Sequence, residues 1–172
     1  SVPVTGDVVI NEVLADPPAD AAGDANCDGT RDGSADEFVE IVNTGDHDVD
    51  LAGATLSDET AVRYTFGSLI LAPGDVAVVF GGDTPTFDGG PGAWCGPLPA
   101  NVTVLSAAPG FLGLNNGGDT ETLTASDSTV LDTFGYGSEG GNDQSLVRAP
   151  ELQPGNHVEH TAAAGSNGAF SP

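Results

Sequence analysis

The chain has 172 residues and carries 26 Asp and Glu against three Lys and Arg, a formal net charge of −23. Such a surface repels nucleic acid, whose phosphates are bound by Lys and Arg that displace counterions, and it disfavours anionic lipid. No stretch approaches the roughly 20 apolar residues that span a bilayer, so the composition points away from nucleic-acid partners and membrane insertion and towards cations.

Residues 7–15 (DVVINEVLA) have strand composition. Residues 16–36 form no regular element: Pro17 and Pro18 break helix and strand alike. Asp also recurs at every fourth position from Asp16 to Asp36, which on a helix would stack like charges along one face. The segment is therefore an acidic loop. Strands follow at 37–43, 51–57 and 62–66, with Val62, Tyr64 and Phe66 on one face of the last. Residues 69–82 read as two runs around a Pro73-Gly74-Asp75 turn, and the continuous apolar run Val76–Phe80 suits a strand buried on both faces.

Residues 81–101 are rich in Gly and Pro and read as a long inserted loop. Further strands are expected at 102–106, 119–125, 129–136 and 144–149, the middle two as a hairpin across Ser126-Asp127-Ser128. Residues 151–172 read as a C-terminal tail after a domain spanning 1–150. About seven to nine short strands with closely spaced turns and no useful amphipathic helix predict an all-β sandwich.

The pieces VVINEVLADP (8–17), DEFVEIVN (36–43), LAGATLSD (51–58), LAPGDVAVVF (71–80), LNNGGDTETLTASDSTVLDTFGYG (114–137) and NDQSLVRAP (142–150) occur in an order that resembles the lamin tail domain in its bacterial extracellular form. The resemblance implies an immunoglobulin-like β-sandwich and an accessory role in a secreted or surface protein, nucleases and other hydrolases included. The chain departs from nuclear lamins: it has no coiled-coil rod, and it carries the acidic loop 16–36 and the inserted loop 81–101. Filament and chromatin roles are not carried over.

Within the acidic loop, Asp24, Asn26, Asp28, Gly29, Thr30 and Asp32 follow the D-x-N-x-D-G-x-x-D spacing of a calcium loop. Ca²⁺ takes six to eight oxygens, and alternate side chains along a tight curve converge on one centre. Gly29 permits the turn, Thr30 offers its carbonyl, and Asp32 binds directly or through water. The twelfth position is Ala35 rather than Glu, so Asp36 is the expected closing carboxylate, with Glu37 and Asp16 in reserve. Residues 16–40 hold eight carboxylates and one Arg, a density that is costly without a cation. A mobile, solvated acidic loop is the plainer reading of the same residues.

Cys27 and Cys95 are the two cysteines and suggest one disulfide in an oxidising compartment, with two unpaired thiols as the alternative. Closing so long a loop would stabilise by roughly 4 kcal/mol in the chain-entropy model. A chain beginning at Ser1 reads as a mature fragment, so secretion is inferred rather than read from a leader.

Other candidates are weaker. His157-Val-Glu159-His160 resembles a fragment of a metal site, but surface histidines account for it. Asn115–Asp119 has turn chemistry that could also line a second cation or sugar site, as could Asp83 and Asp88. His47 reads as an isolated surface residue. Trp94, with Phe87 and Phe111, offers either an aromatic platform for a ligand or packing for the inserted loop. No motif presents a nucleophile with its base.

The expectation is a non-catalytic, calcium-binding module of an extracellular or cell-surface protein, serving attachment or protein interaction. Its partner would be a protein or a surface glycan. The alternatives are a carbohydrate-binding module and the accessory domain of a metal-dependent extracellular hydrolase.

Overall fold

Apolar alternation in two neighbouring strands decides the architecture. The computed structural model describes residues 1–87, 94–166 and 168–170, so Asp88 lies outside the described residues. Among these, twelve strands run in chain order: β1 (Val8–Leu14), β2 (Phe38–Asn43), β3 (Val49–Asp50), β4 (Thr55–Ser57), β5 (Val62–Thr65), β6 (Ile70–Leu71), β7 (Val76–Phe80), β8 (Val102–Ser106), β9 (Asp119–Thr124), β10 (Val130–Tyr136), β11 (Leu146–Arg148) and β12 (His157–Glu159). They form a six-stranded sheet in the order β12-β11-β1-β2-β7-β8, a four-stranded sheet β10-β9-β4-β5, and the pair β3-β6. The fold is an immunoglobulin-like β-sandwich.

Val39 and Ile41 of β2, with Ala77 and Val79 of β7, point into the main core. There they meet Leu56, Leu123, Leu131 and Phe134 of the four-stranded sheet. The alternate residues Phe38, Val78 and Phe80, with Leu14 of β1, build a second core on the outer face of the six-stranded sheet. Ala25, Phe87, Trp94 and Phe170 pack over it. The run 76–80 is thus buried on both faces, which is why it does not alternate.

The inserted loop has a topological cause. β8 pairs with β7 in parallel, Val76 opposite Val102. A parallel neighbour requires a crossover of a dozen or more residues, where an antiparallel one needs only a tight turn. The hairpin expected across 126–128 forms between β9 and β10. Its turn is closed by Ala125 N–H onto the Thr129 carbonyl at 2.8 Å.

Two segments differ from the sequence reading. Residues 51–57 are extended as a strand only over β4, and the chain before them contributes β3, too short to show a period. Within residues 151–172, expected as a tail, the strand β12 and Phe170 belong to the sandwich. β12 extends the six-stranded sheet by pairing with β11, and Phe170 stands edge-on to Phe38 and Trp94 at 6.0 and 4.7 Å between centroids. The Gly and Ala around these residues hid a three-residue strand and one aromatic anchor.

The two sheets are tied by Arg148 on β11. Its guanidinium donates to Asp132 Oδ2 on β10 at 2.9 Å, to the carbonyl of Ile10 on β1 at 3.0 Å and to that of Thr133 at 2.8 Å. It also lies 4.5 Å over the Phe134 ring. Asp132 Oδ2 accepts a further bond from Ile10 N–H at 2.9 Å. Arg148 and Asp132 are both buried, so removing one leaves the other's charge uncompensated. Arg148→Ala is expected to lower unfolding free energy by about 3–5 kcal/mol in urea titration, while Arg148→Met with Asp132→Leu recovers much of the loss.

Candidate metal centre

The acidic loop is held against the second core from three sides. The Cys27–Cys95 disulfide joins it to the crossover across a sequence separation of 68. Thr86 N–H donates to the Asn26 carbonyl at 2.9 Å, and Trp94 Nε1–H donates to the Asp24 carbonyl at 3.2 Å. Gly81, at the exit of β7, lies so close to the loop that a Cβ there would stand 1.8 Å from the Ser34 carbonyl oxygen. Only glycine permits that approach. Arg31 closes the loop onto its own start, donating Nε–H to the Pro18 carbonyl at 3.0 Å and Nη2–H to that of Pro17.

Inside this frame the acidic side chains curl the backbone around themselves. Asp24 Oδ2 accepts from Gly29 N–H at 3.0 Å, Asn26 Oδ1 from Asp28 N–H at 3.0 Å, and Asp28 Oδ1 from Thr30 N–H at 2.8 Å. Asp36 straps the two ends together: Oδ1 accepts from Asn26 N–H at 3.0 Å and Oδ2 from Asp32 N–H at 2.7 Å. Gly29 sits at a φ of +92°, the left-handed turn expected of it.

Burial singles out a subset. Asp24 is 2% exposed, while Asn26 and Asp36 are wholly buried. Asp28 is half-buried, and Thr30 and Asp32 are exposed. Two buried polar atoms here have no hydrogen-bond partner among the described residues, Asp24 Oδ1 and Asn26 Nδ2. A partnerless carboxylate oxygen shielded from water demands a proton or a cation. Desolvation lifts Asp36 to about 6, with the Asp24 charge adding to the rise against its backbone hydrogen bonds. Asp32 is held below the ordinary carboxylate value, chiefly by the amides of Ala35 and Ser34.

Among the described residues, no three carboxylate, imidazole or thiol side chains already converge as a cage. The oxygens at hand form a mixed set instead. Asp24 Oδ1, the Asn26 amide oxygen, Asp28 and the Thr30 carbonyl are the oxygens of this loop that could hold a cation, and Asp36 orders the loop behind them. Ca²⁺ accepts such sets and completes them with water.

The remaining candidates separate from this loop. Glu37 turns away, accepting from Leu114 N–H at 3.2 Å, and Asp16 accepts from Asn116 Nδ2 at 2.8 Å. His157 stacks on Phe134 and contacts Glu139 at 3.1 Å, whereas Glu159 accepts from Asn142 and His160 lies buried with Nδ1 at 3.0 Å from the Gly168 carbonyl. The Asn115–Asp119 turn satisfies itself, with Gly117 N–H on Asn115 Oδ1 at 2.9 Å. Asp83 and His47 are exposed. Trp94 is half-buried against Phe170 and Phe111 is 51% exposed, so the aromatic trio does not share one open surface.

The Lamin Tail Domain family profile matches residues 1–138. The chain belongs to the Lamin Tail Domain family. This family is an immunoglobulin-like, non-catalytic one. No curated protein matches the chain. No helix among the described residues is long and apolar enough to cross a membrane.

This lamin tail domain also buries carboxylates that the sequence did not single out. Glu12 and Glu40 face each other directly across β1 and β2, on the outer side of the sheet. A bulge at Asn11 puts them there by shifting the register between Ile10 and Glu12. Glu121 is fully buried on β9, and neither of its carboxylate oxygens has a hydrogen-bond partner among the described residues. Burial pushes Glu37, Glu40 and Glu121 up to about 8, with Glu121 adding to the rise at Glu37, Glu12 at Glu40 and Asp119 at Glu121. Strand alternation hides such residues from sequence, because an inward Glu differs from an outward one only by register.

These acids hold protons more tightly folded than unfolded, where their ordinary value is 4.5. Their contribution therefore favours the fold most below about 4.5 and is lost as pH rises through about 8. Asp58 acts oppositely: against desolvation, hydrogen bonds from Arg63 and Thr60 hold it at about 2, so its contribution is lost only as pH falls towards that value. The metal-free domain is expected to melt at a higher temperature at pH 5 than at pH 8.5, and Glu121→Gln should flatten that slope. Equal melting temperatures at the two pH values would contradict this reading.

Proposed function

We propose that this lamin tail domain is a non-catalytic module of a secreted or cell-surface protein, ordered by Ca²⁺ in the loop Asp24–Asp36, that serves attachment or protein interaction. The observation that carries the calcium reading is the buried, partnerless Asp24 Oδ1. It lies in a loop whose Asp24, Asn26 and Asp28 side chains are each already bent back onto a backbone amide. Asp24, Asn26, Asp28 and the Thr30 carbonyl would hold the ion. Asp32 would reach it through water, and Asp36 would act by fixing both ends of the loop. Bound there, the cation supplies positive charge to a segment that otherwise has only Arg31.

The extracellular assignment is supported by the disulfide, which persists in oxidising compartments. The attachment role is supported by the family's non-catalytic character and by the packing of Ala25 of the acidic loop with Phe87 and Trp94 of the crossover on one outer face. The carbohydrate reading is less well supported, because Trp94 gives its indole N–H to Asp24 and one edge to Phe170. The sequence presents no motif that joins a nucleophile to its base, so the hydrolase reading draws no support from it.

A ligand that binds only the folded state stabilises it by about 2.7 kcal/mol at a hundredfold excess over Kd. For a domain of this size that is a rise of roughly 5–11 °C in melting temperature. Calorimetry in Ca²⁺ against EDTA should show this rise in the wild type and lose it in Asp24→Asn and Asp28→Asn. Mg²⁺ should give less, since it demands tighter octahedral geometry. Identical melting in Ca²⁺ and EDTA would overturn the assignment.

A further inference from the structure

Away from the acidic loop, the outer face of the six-stranded sheet carries an open groove of about 450 Å³ lined by Glu40, Val42, Thr44, Gly74, Val76 and Leu152, among others. That size falls within the roughly 300–1,000 Å³ range of small-ligand sites. Val42 and Val76 are adjacent in register on β2 and β7 and supply an apolar wall. Leu152 stands at its side, 47% exposed, its backbone fixed by an N–H bond of 2.9 Å to Asn11 Oδ1.

Glu40 is 8% exposed. Among the described residues, the one hydrogen bond given to its carboxylate comes from Asn11 Nδ2 onto Oε1, at 2.8 Å. The groups that act on it electrostatically are Glu12, Glu151 and His160. The chain's own guanidinium groups are engaged elsewhere: Arg31 on the Pro17 and Pro18 carbonyls, Arg63 on Asp58, and Arg148 on Asp132. The groove therefore combines an apolar wall with a shielded carboxylate at its end.

We propose that this groove docks the basic side chain of a protein or peptide partner, an arginine or lysine whose aliphatic stem packs on Val42, Val76 and Leu152 and whose charged head meets Glu40. Long basic side chains have this division between an apolar stem and a charged head. A shielded carboxylate selects them over neutral side chains of similar size. Ionised Glu40 is required, and burial raises its pKa to about 8, so docking strengthens as pH rises from 6.5 to 9. The site is independent of calcium.

The test is an NMR titration of the whole chain with N-acetyl-arginine methylamide, N-acetyl-lysine methylamide and, as the neutral comparison, N-acetyl-norleucine methylamide. The two basic probes should shift the amides of Val42, Thr44, Gly45, Val76 and Leu152, more strongly at pH 9 than at pH 6.5, and the norleucine probe should not. Glu40→Gln should weaken arginine binding by about tenfold or more. Asp46→Asn, an exposed site with the same change in charge, should leave it unaltered. If Glu40→Gln does not fold, Leu152→Ser should still weaken binding by about threefold through lost apolar contact. Shifts scattered over the acidic surface, or equal responses to all three probes, would overturn the proposal.

Discussion

Negative charge that the chain cannot neutralise for itself governs this structure. Three arginines serve 26 acidic residues, and each is held by an internal contact. Most of the acids reach water, where high dielectric and salt make them inexpensive. Those withdrawn from it each need a backbone amide, a proton or an external cation. The structure uses the first two visibly. Asp36 is strapped to the amides of Asn26 and Asp32, and Glu37, Glu40 and Glu121 are pushed towards their protonated forms. Asp24 Oδ1 has no partner among the described residues, and under the proposal above it is the atom a cation would meet.

The same constraint explains why the acidic loop is fastened so thoroughly. A free loop of this charge would spread into solvent. Here the disulfide, the Trp94 indole, the Thr86 amide and the close approach of Gly81 to Ser34 press it onto the second core. The loop therefore buries Ala25 and shields Asp24 at once. A cation bound there would act on packing as well as charge, since the loop, the crossover and Phe170 share one apolar cluster.

Much of the sandwich was legible because strand signals are local. The apolar run 76–80, the hairpin across 126–128 and the acidic loop all lie where periodicity and turn residues put them. Features decided by distant contacts were not legible. The parallel pairing of β8 with β7, the addition of β12 and the anchoring of Phe170 depend on what lies across space. In the candidate site, the D-x-N-x-D-G spacing led directly to the loop that curls around Asp24. The burial of Glu40 and Glu121 was not legible, because nothing in FVEIVN or DTETLT marks which face is covered. The bulge at Asn11, which brings Glu12 opposite Glu40, is equally silent in sequence.

The most direct measurement is anomalous diffraction from crystals grown in Ca²⁺, with the signal located relative to the Asp24 carboxylate. One peak is expected about 2.3–2.6 Å from Asp24 Oδ1, with Asn26, Asp28 and the Thr30 carbonyl around it. A well-ordered loop showing no anomalous peak there, at calcium concentrations that saturate ordinary extracellular sites, would contradict the calcium assignment.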